Sequence, residues 1–265
     1  MDVKNLHRQQ DWENYYIHHA PLQMKLESGL FTSYDIFLCD YLITRFLPKY
    51  KGPLKKRPVI CEIGSGDGIL IKKIARMIGY KPYGIEYSKE AAKMSKKNGV
   101  DTYVADAFGK RVLSKFKNRF DAVFSYGFIE HIIPPGKAVK LHLDLIKPGG
   151  YFIIQIPRFK GFNYLRMKFF RPDLIENHNL NIMNEDILEK LCKVQKVKKI
   201  YCGNYGTFKL RIPMEDKGFK YYLLKVICTL DYILNPAFRL IFGNRGFETK
   251  IFSPSVMFIG QKKPR

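Results

Sequence analysis

The stretch Val59–Leu70, "VICEIGSGDGIL", decides the fold. Its first half, "PVICEIG", is a short β-branched run that stops at a glycine. The sequence that follows, "GILIKKIARMIGY", sets Ile71, Ile74, Ala75 and Ile78 on one helical face. Strand, glycine loop and helix therefore follow one another directly. The loop holds Gly64, Gly66 and Gly68 together with the acids Glu62 and Asp67, and it has no lysine. It lacks the Lys-Ser/Thr ending of a phosphate-binding loop, and its third glycine comes one residue too early for the dinucleotide fingerprint. An acid at the mouth of such a loop repels a pyrophosphate. It suits a cation, such as an amino-acid ammonium or a sulfonium.

Outward from this loop the alternation continues. "PYGIEYS", "VDTYVAD", "RFDAVFSYG" and "YFIIQIP" read as strands. "KEAAKMSKKNG" reads as a helix, "GKRVLSKF" as a short helix or loop, and "PPGKAVKLHLDLIKPGG" as a helix closed by Pro148-Gly149-Gly150. Nearly continuous apolar strands between amphipathic helices predict an α/β domain with a doubly wound, parallel sheet covered on both faces. Residues 1–57 read as an N-terminal helical cap in which "SYDIFLCDYLITRFL" is broken by "PKYKGPLKKRP". After Pro157 a basic, aromatic segment leads to the helix "NEDILEKLCKV" with Asn184 as its cap, and then to the strands "KVKKIYCG" and "SPSVMFIGQKK". The expected division is a core of residues 58–203 and 253–265, with a lid inserted at 204–252.

In such a sheet ligands bind outside the carboxyl ends of the strands. Glu86 closes the strand after the loop, where a carboxylate can accept from both hydroxyls of a ribose. Asp106 ends the next strand and suits an exocyclic purine amine, with Tyr87 and Phe108 beside these acids to pack on the ring faces. A ligand carrying a cation, a ribose and an amino-purine satisfies all three strand ends.

These segments together resemble the class I S-adenosylmethionine-dependent methyltransferases. "VICEIGSGDG" is similar to their first motif, "GIEYS" to the ribose-binding motif and "VADAF" to the adenine-contacting one. "FDAVFSYGFIEHI" is similar to the fourth-strand motif and "LIKPGGYFIIQIP" to the fifth-strand segment. The resemblance implies a mostly parallel, seven-stranded Rossmann-like sheet ending in an antiparallel pair, and S-adenosyl-L-methionine as cofactor. It implies backbone contacts from Gly64, Ser65 and Gly66 to the methionine part, with the acid Glu62 leading into the loop. Glu86 would hold the ribose and Asp106 with Ala107 or Phe108 the adenine, with Tyr87 and Ser125 completing the expected cofactor set. "DWENYYIHHAP" lies in a segment that closes over the cofactor in this family.

"GFIEHI" resembles quinone-type and small-molecule O-methyltransferases and gives Glu130 and His131 as the expected catalytic pair. Some relatives add a second Glu three residues earlier to bind a metal; here that position is Gly127. Two protein ligands are too few for a dedicated cation cage, so no metal is expected. His131 can act as a general base toward a hydroxyl or simply pack beside the cofactor. His18, His19 and His178 are weaker candidates.

The chain has 265 residues, 46 Lys and Arg against 24 Asp and Glu, and a net charge of +22. Such a surface draws anionic partners without identifying them. The expected acceptor is a small molecule, a sugar or a lipid-linked compound, the later segments resembling methyltransferases of sugar, glycolipid and polysaccharide pathways. Nucleic acid is the lesser reading: no Asn/Asp-Pro-Pro-Tyr/Phe motif follows the fourth strand, and no RNA-binding module is visible. A non-catalytic binding protein on the same fold is a third reading. Residues 190–265 carry a local +12, and Leu223, Ile227, Leu230 and Leu234 form an apolar stripe beside Lys220 and Lys225. The stripe reads as a lid packed on the sheet, or as a helix at an acidic membrane surface. Five cysteines without CxxC spacing predict a reducing compartment. With no signal-peptide pattern and no spanning apolar run, the expected location is cytoplasmic, with peripheral membrane association open.

Overall fold

The apolar alternation sets two core layers on one sheet. The computed structural model describes residues 3–23, 34–194, 197–207, 209–210, 212, 218–243 and 247–264. In chain order the elements are β1 (Lys4–Asn5), α1 (Gln9–Gln23), α2 (Tyr34–Phe46), β2 (Val59–Ile63), α3 (Ile69–Ile78), β3 (Lys81–Glu86), α4 (Lys89–Lys97) and β4 (Asp101–Val104). There follow α5 (Lys110–Phe116), β5 (Phe120–Tyr126), β6 (Ile132–Ile133), α6 (Pro135–Leu145), β7 (Ile146–Pro157), α7 (Phe162–Phe170) and α8 (Pro172–Glu176). The last are α9 (Glu185–Cys192), β8 (Val197–Tyr205), α10 (Phe219–Phe242) and β9 (Ser255–Lys262).

The main sheet has seven strands in the order β4-β3-β2-β5-β7-β9-β8. β2 pairs in parallel with both β3 and β5, and β9 runs antiparallel between β7 and β8. The chain winds outward from β2 to β4, then crosses back to β5 on the other side. The strand order therefore reverses at β2, and the glycine loop that leaves β2 stands at the switch point where ligands bind.

Side chains two apart on a strand share a face. Cys61 and Ile63, Val123, Phe152 and Ile154, and Phe258 join one core with Val112, Phe116, Leu141 and Leu188 of the helices. Ile60, Ala122, Phe124, Ile153 and Met257 join the other with Leu42 and Ile43 of α2 and Ile71 and Ile74 of α3. α2 is thus built into the second core layer as well as lying within the expected cap, and that cap also contains β1, which pairs with β6.

Two elements differ from the sequence expectation. Pro148-Gly149-Gly150 does not close a helix: α6 ends at Leu145 and β7 already begins at Ile146, pairing Phe120 with Ile146 before an irregularity in the ladder. A Cβ on Gly150 would stand 2.4 Å from Ile146 Cγ2 and 2.7 Å from the Asp121 carbonyl, so the glycine is there for close approach across the strands. β8 runs on to Tyr205, two residues into the expected lid. Among the described residues no helix is long and apolar enough to cross a membrane.

Candidate active site

A cleft opens at the carboxyl ends of β2 to β5. It is lined by Gly64, Ile85, Glu86, Tyr87, residues 105–108, residues 126–128, His131 and Ile132, and it is closed from above by Asn5, Trp12 and Tyr16. Six expected cofactor residues line it: Gly64, Glu86, Tyr87, Asp106, Ala107 and Phe108.

Glu86 is buried, and both its oxygens are already held: Gly66 N–H donates to Oε2 at 2.8 Å and Ser88 N–H to Oε1 at 2.8 Å. Burial raises its pKa, against the pull of those hydrogen bonds. Glu62 is buried beneath the loop, and its Oε2 has no hydrogen-bond partner. Burial, then the nearby Asp67 and Glu86, pushes its carboxyl well above the usual range. Asp67 is also raised by burial. Three acids that each resist ionisation around one glycine loop are relieved together by a cationic ligand.

Glu62, Ser65 and Gly66 stand behind the lining. The Gly66 amide faces Glu86, and Tyr16 covers the loop so closely that a Cβ on Gly66 would lie 2.3 Å from Tyr16 Oη. Ser125 corrects the sequence expectation. It is fully buried, its Oγ is 3.0 Å from Nε2 of His142 on α6, and it does not line the cleft. Ser125 lies two residues beyond Val123, so the pleat turns both toward the same layer. Tyr126 and Gly127 take its place in the lining.

Sequence reasoning also missed Phe128, whose ring stacks at 15° on that of Phe108 with centroids 6.2 Å apart at the cleft wall. An aromatic directly before Ile-Glu-His was the available signal.

At the far end of the cleft a 3-10 turn carries Glu130 and His131, both buried. His131 Nδ1 lies 3.0 Å from the Asn177 carbonyl, which can only accept, so Nδ1 carries the proton and Nε2 keeps its lone pair. The Asn179 N–H donates to the Glu130 carbonyl at 2.8 Å, clipping the segment after α8 onto the turn. That brings the His178 ring to 4.4 Å from His131, while His7 and Trp12 pack on its other sides at 4.7 and 5.7 Å. Burial, with His178 and His7 adding, lowers His131 to about 3, and burial raises Glu130 to about 8. The side chains of His18 and His19 lie outside the described residues. No described residue of 204–252 lines the cleft.

The family described as "Methyltransferase domain" matches residues 33–194. The chain belongs to the class I S-adenosylmethionine-dependent methyltransferases. Its cofactor is S-adenosylmethionine. The ubiquinone biosynthesis O-methyltransferase of Alkalilimnicola ehrlichii is 31% identical over 106 residues, 38% of this chain and 42% of that protein. The tRNA U34 carboxymethyltransferase of Desulfotalea psychrophila is 28% identical over 45% of this chain and 37% of that protein. The matches therefore span about two fifths of the curated relatives' length. A SAM-dependent methyltransferase from Archaeoglobus fulgidus shares the fold, with a TM-score of 0.55 and 18% identity over 92% of this chain and 100% of that one.

Proposed function

We propose that this methyltransferase transfers the methyl group of S-adenosylmethionine to a hydroxyl of a small-molecule, sugar or lipid-linked acceptor. The observation that carries the reading is His131, which lines the cofactor cleft with its Nε2 lone pair set by the Asn177 carbonyl. S-adenosylmethionine held in this cleft would supply the methyl group as an electrophile, and His131 Nε2 would take the proton that the acceptor hydroxyl gives up. The imidazolium so formed has the Glu130 carboxyl 4.0 Å away. The name of the Alkalilimnicola relative supports an oxygen acceptor.

The outward face of α10 supports a lipid-linked one. Phe219, Tyr222, Val226, Ile233, Leu240 and Ile241 are all more than half exposed and follow helical spacing, with Lys220 and Lys225 among them. An apolar stripe flanked by lysines suits the interface of an anionic membrane, and a peripheral location at such a surface follows. RNA is the second reading, favoured by the net charge of +22 and by the tRNA-modifying relative.

The test is calorimetric titration with S-adenosylhomocysteine, beside Glu86→Ala, followed by labelled methyl transfer to phenols and quinols, to glycolipids and to tRNA. Micromolar binding that the variant loses, with label appearing on a hydroxyl compound, supports the reading. Label on tRNA alone replaces it with the second.

A further inference from the structure

We infer that Glu130, His131 and His178 form a binding site for a divalent first-row transition-metal cation of the zinc class at the end of the cofactor cleft. Glu130 and His131 sit on the 3-10 turn after β5, and His178 comes from the segment after α8, 47 residues beyond His131. One ligand atom from each of the three lies within 4.8 Å of the others, and the Glu130 Oε1 to His131 Nε2 distance is 4.0 Å. Ligands around a tetrahedral ion at about 2.1 Å stand roughly 3.4 Å apart, so small side-chain rotations close the set.

Three observations point to a ligand rather than to packing. Glu130 is 1% exposed, yet among the described residues its carboxyl oxygens meet no partner at full hydrogen-bond geometry, its own backbone amide alone standing near. Nδ1 of His178 is likewise buried with no partner at full hydrogen-bond geometry among the described residues, although the Leu174 backbone stands close enough to act on the ring. A buried polar atom left unpaired costs on the order of 1–3 kcal/mol, so three in one cluster call for a common partner. His131, by contrast, is oriented as a metal-binding histidine is: its Nδ1–H is anchored on the Asn177 carbonyl and its other nitrogen is turned to the cluster. The backbone bond from Asn179 to Glu130 fixes the loop that delivers His178.

The sequence expectation of no metal rested on Gly127 leaving only two ligands. The fold supplies the third from elsewhere in the chain. Two imidazoles and one carboxylate select a zinc-like ion over magnesium or calcium, which prefer oxygen donors throughout. Three protein ligands leave a coordination position open, and His131 lines the cleft. The inference rests on the same residues as the proposed methyl transfer: a bound ion would occupy the His131 Nε2 lone pair that takes the proton there, so the metal-loaded and base-competent states exclude one another, and the site is tested without turnover.

The full chain, stripped with a chelator, is titrated with Co²⁺ as a coloured stand-in for zinc, and bound metal is counted by elemental analysis. One equivalent per chain with visible d–d bands is expected. His178→Ala and Glu130→Gln should each weaken uptake by at least about tenfold. Both variants are also titrated with S-adenosylhomocysteine, and retained binding shows that they are folded. No stoichiometric uptake by the wild-type chain overturns the site, as does uptake equal in wild type and both variants. Loss of S-adenosylhomocysteine binding in the wild type, with metal uptake intact, removes the methyl-transfer reading and leaves the metal site standing.

Discussion

Glu13 on α1 reaches across to Ser88, the N-cap of α4, and accepts from its hydroxyl at 2.7 Å. The same carboxylate accepts from the backbone amides of Lys89 at 2.8 Å and Glu90 at 3.0 Å, while Ser88 Oγ accepts from Ala91 at 3.1 Å. The first three amides of α4 are thus satisfied, two of them by another helix. This carboxylate at a helix N-terminus pins α1, and with it Trp12 and Tyr16, over the cleft.

Glu13→Ala should therefore loosen the cover and leave the core intact. By analogy with lost helix caps the fold should weaken by about 1 kcal/mol. Dissociation of S-adenosylhomocysteine, followed by stopped-flow fluorescence of Trp12, should quicken severalfold. An unchanged off-rate would show that α1 is held by other contacts.

Gly66→Ala tests the contact beneath that cover. Gly66 has a φ of +53°, and the added methyl would meet Tyr16 Oη at 2.3 Å. The left-handed backbone alone costs a non-glycine residue roughly 1–2 kcal/mol. The melting temperature should fall and cofactor affinity should drop. Adding Tyr16→Phe removes the clashing hydroxyl but not the backbone strain, so the double variant should recover part of the affinity and little of the stability.

His142 gives a signed pH dependence. It is fully buried on α6 with Nδ1 2.7 Å from the Ala138 carbonyl, and burial lowers its pKa to about 4. Between the unfolded value near 6.5 and about 4 the unfolded chain binds the proton and the folded chain does not. Stability from this group is complete above pH 6.5 and declines as pH falls, by up to about 3 kcal/mol near pH 4. Denaturant titrations at pH 7 and pH 4.5 should show a smaller loss in His142→Gln than in the wild type. Equal losses would place the acid sensitivity elsewhere.

The apolar face of α10 predicts sedimentation with vesicles rich in anionic lipid and not with neutral ones. Leu240 and Ile241 are 79% and 72% exposed, so aspartates there should cost the fold little while abolishing vesicle binding. Binding unaffected by the double substitution would assign the lipid contact to another surface.

The sheet was readable because its signals are local. Ile71 to Ile78 repeat at helical spacing, and Glu62, Glu86 and Asp106 each lie at the end of an apolar run. Placement of side chains across the cleft was less so. Ser125 sits in a familiar motif, yet strand alternation turns it toward His142; attention to the pleat would have found this. Of the apolar stripe through Leu223, Ile227, Leu230 and Leu234, Leu223 and Ile227 pack against the core, while Leu230 is 48% exposed. His178 meets His131 only through the chain's path around α7 and α8, and no spacing in the sequence encodes that approach.

The β1–β6 pairing is only two residues wide, Lys4 opposite Ile133 and Asn5 opposite Ile132, reinforced by the Leu6 amide on the His131 carbonyl. So narrow a hinge opens far more readily than the seven-stranded sheet unfolds. Opening of that pair would loosen the cover that Glu13 also holds, and a cofactor bound in the cleft lined by Asn5, Trp12 and Tyr16 should shield those residues from protease. Resistance of the amino-terminal segment to clipping becomes a direct gauge of how much of the enzyme is loaded.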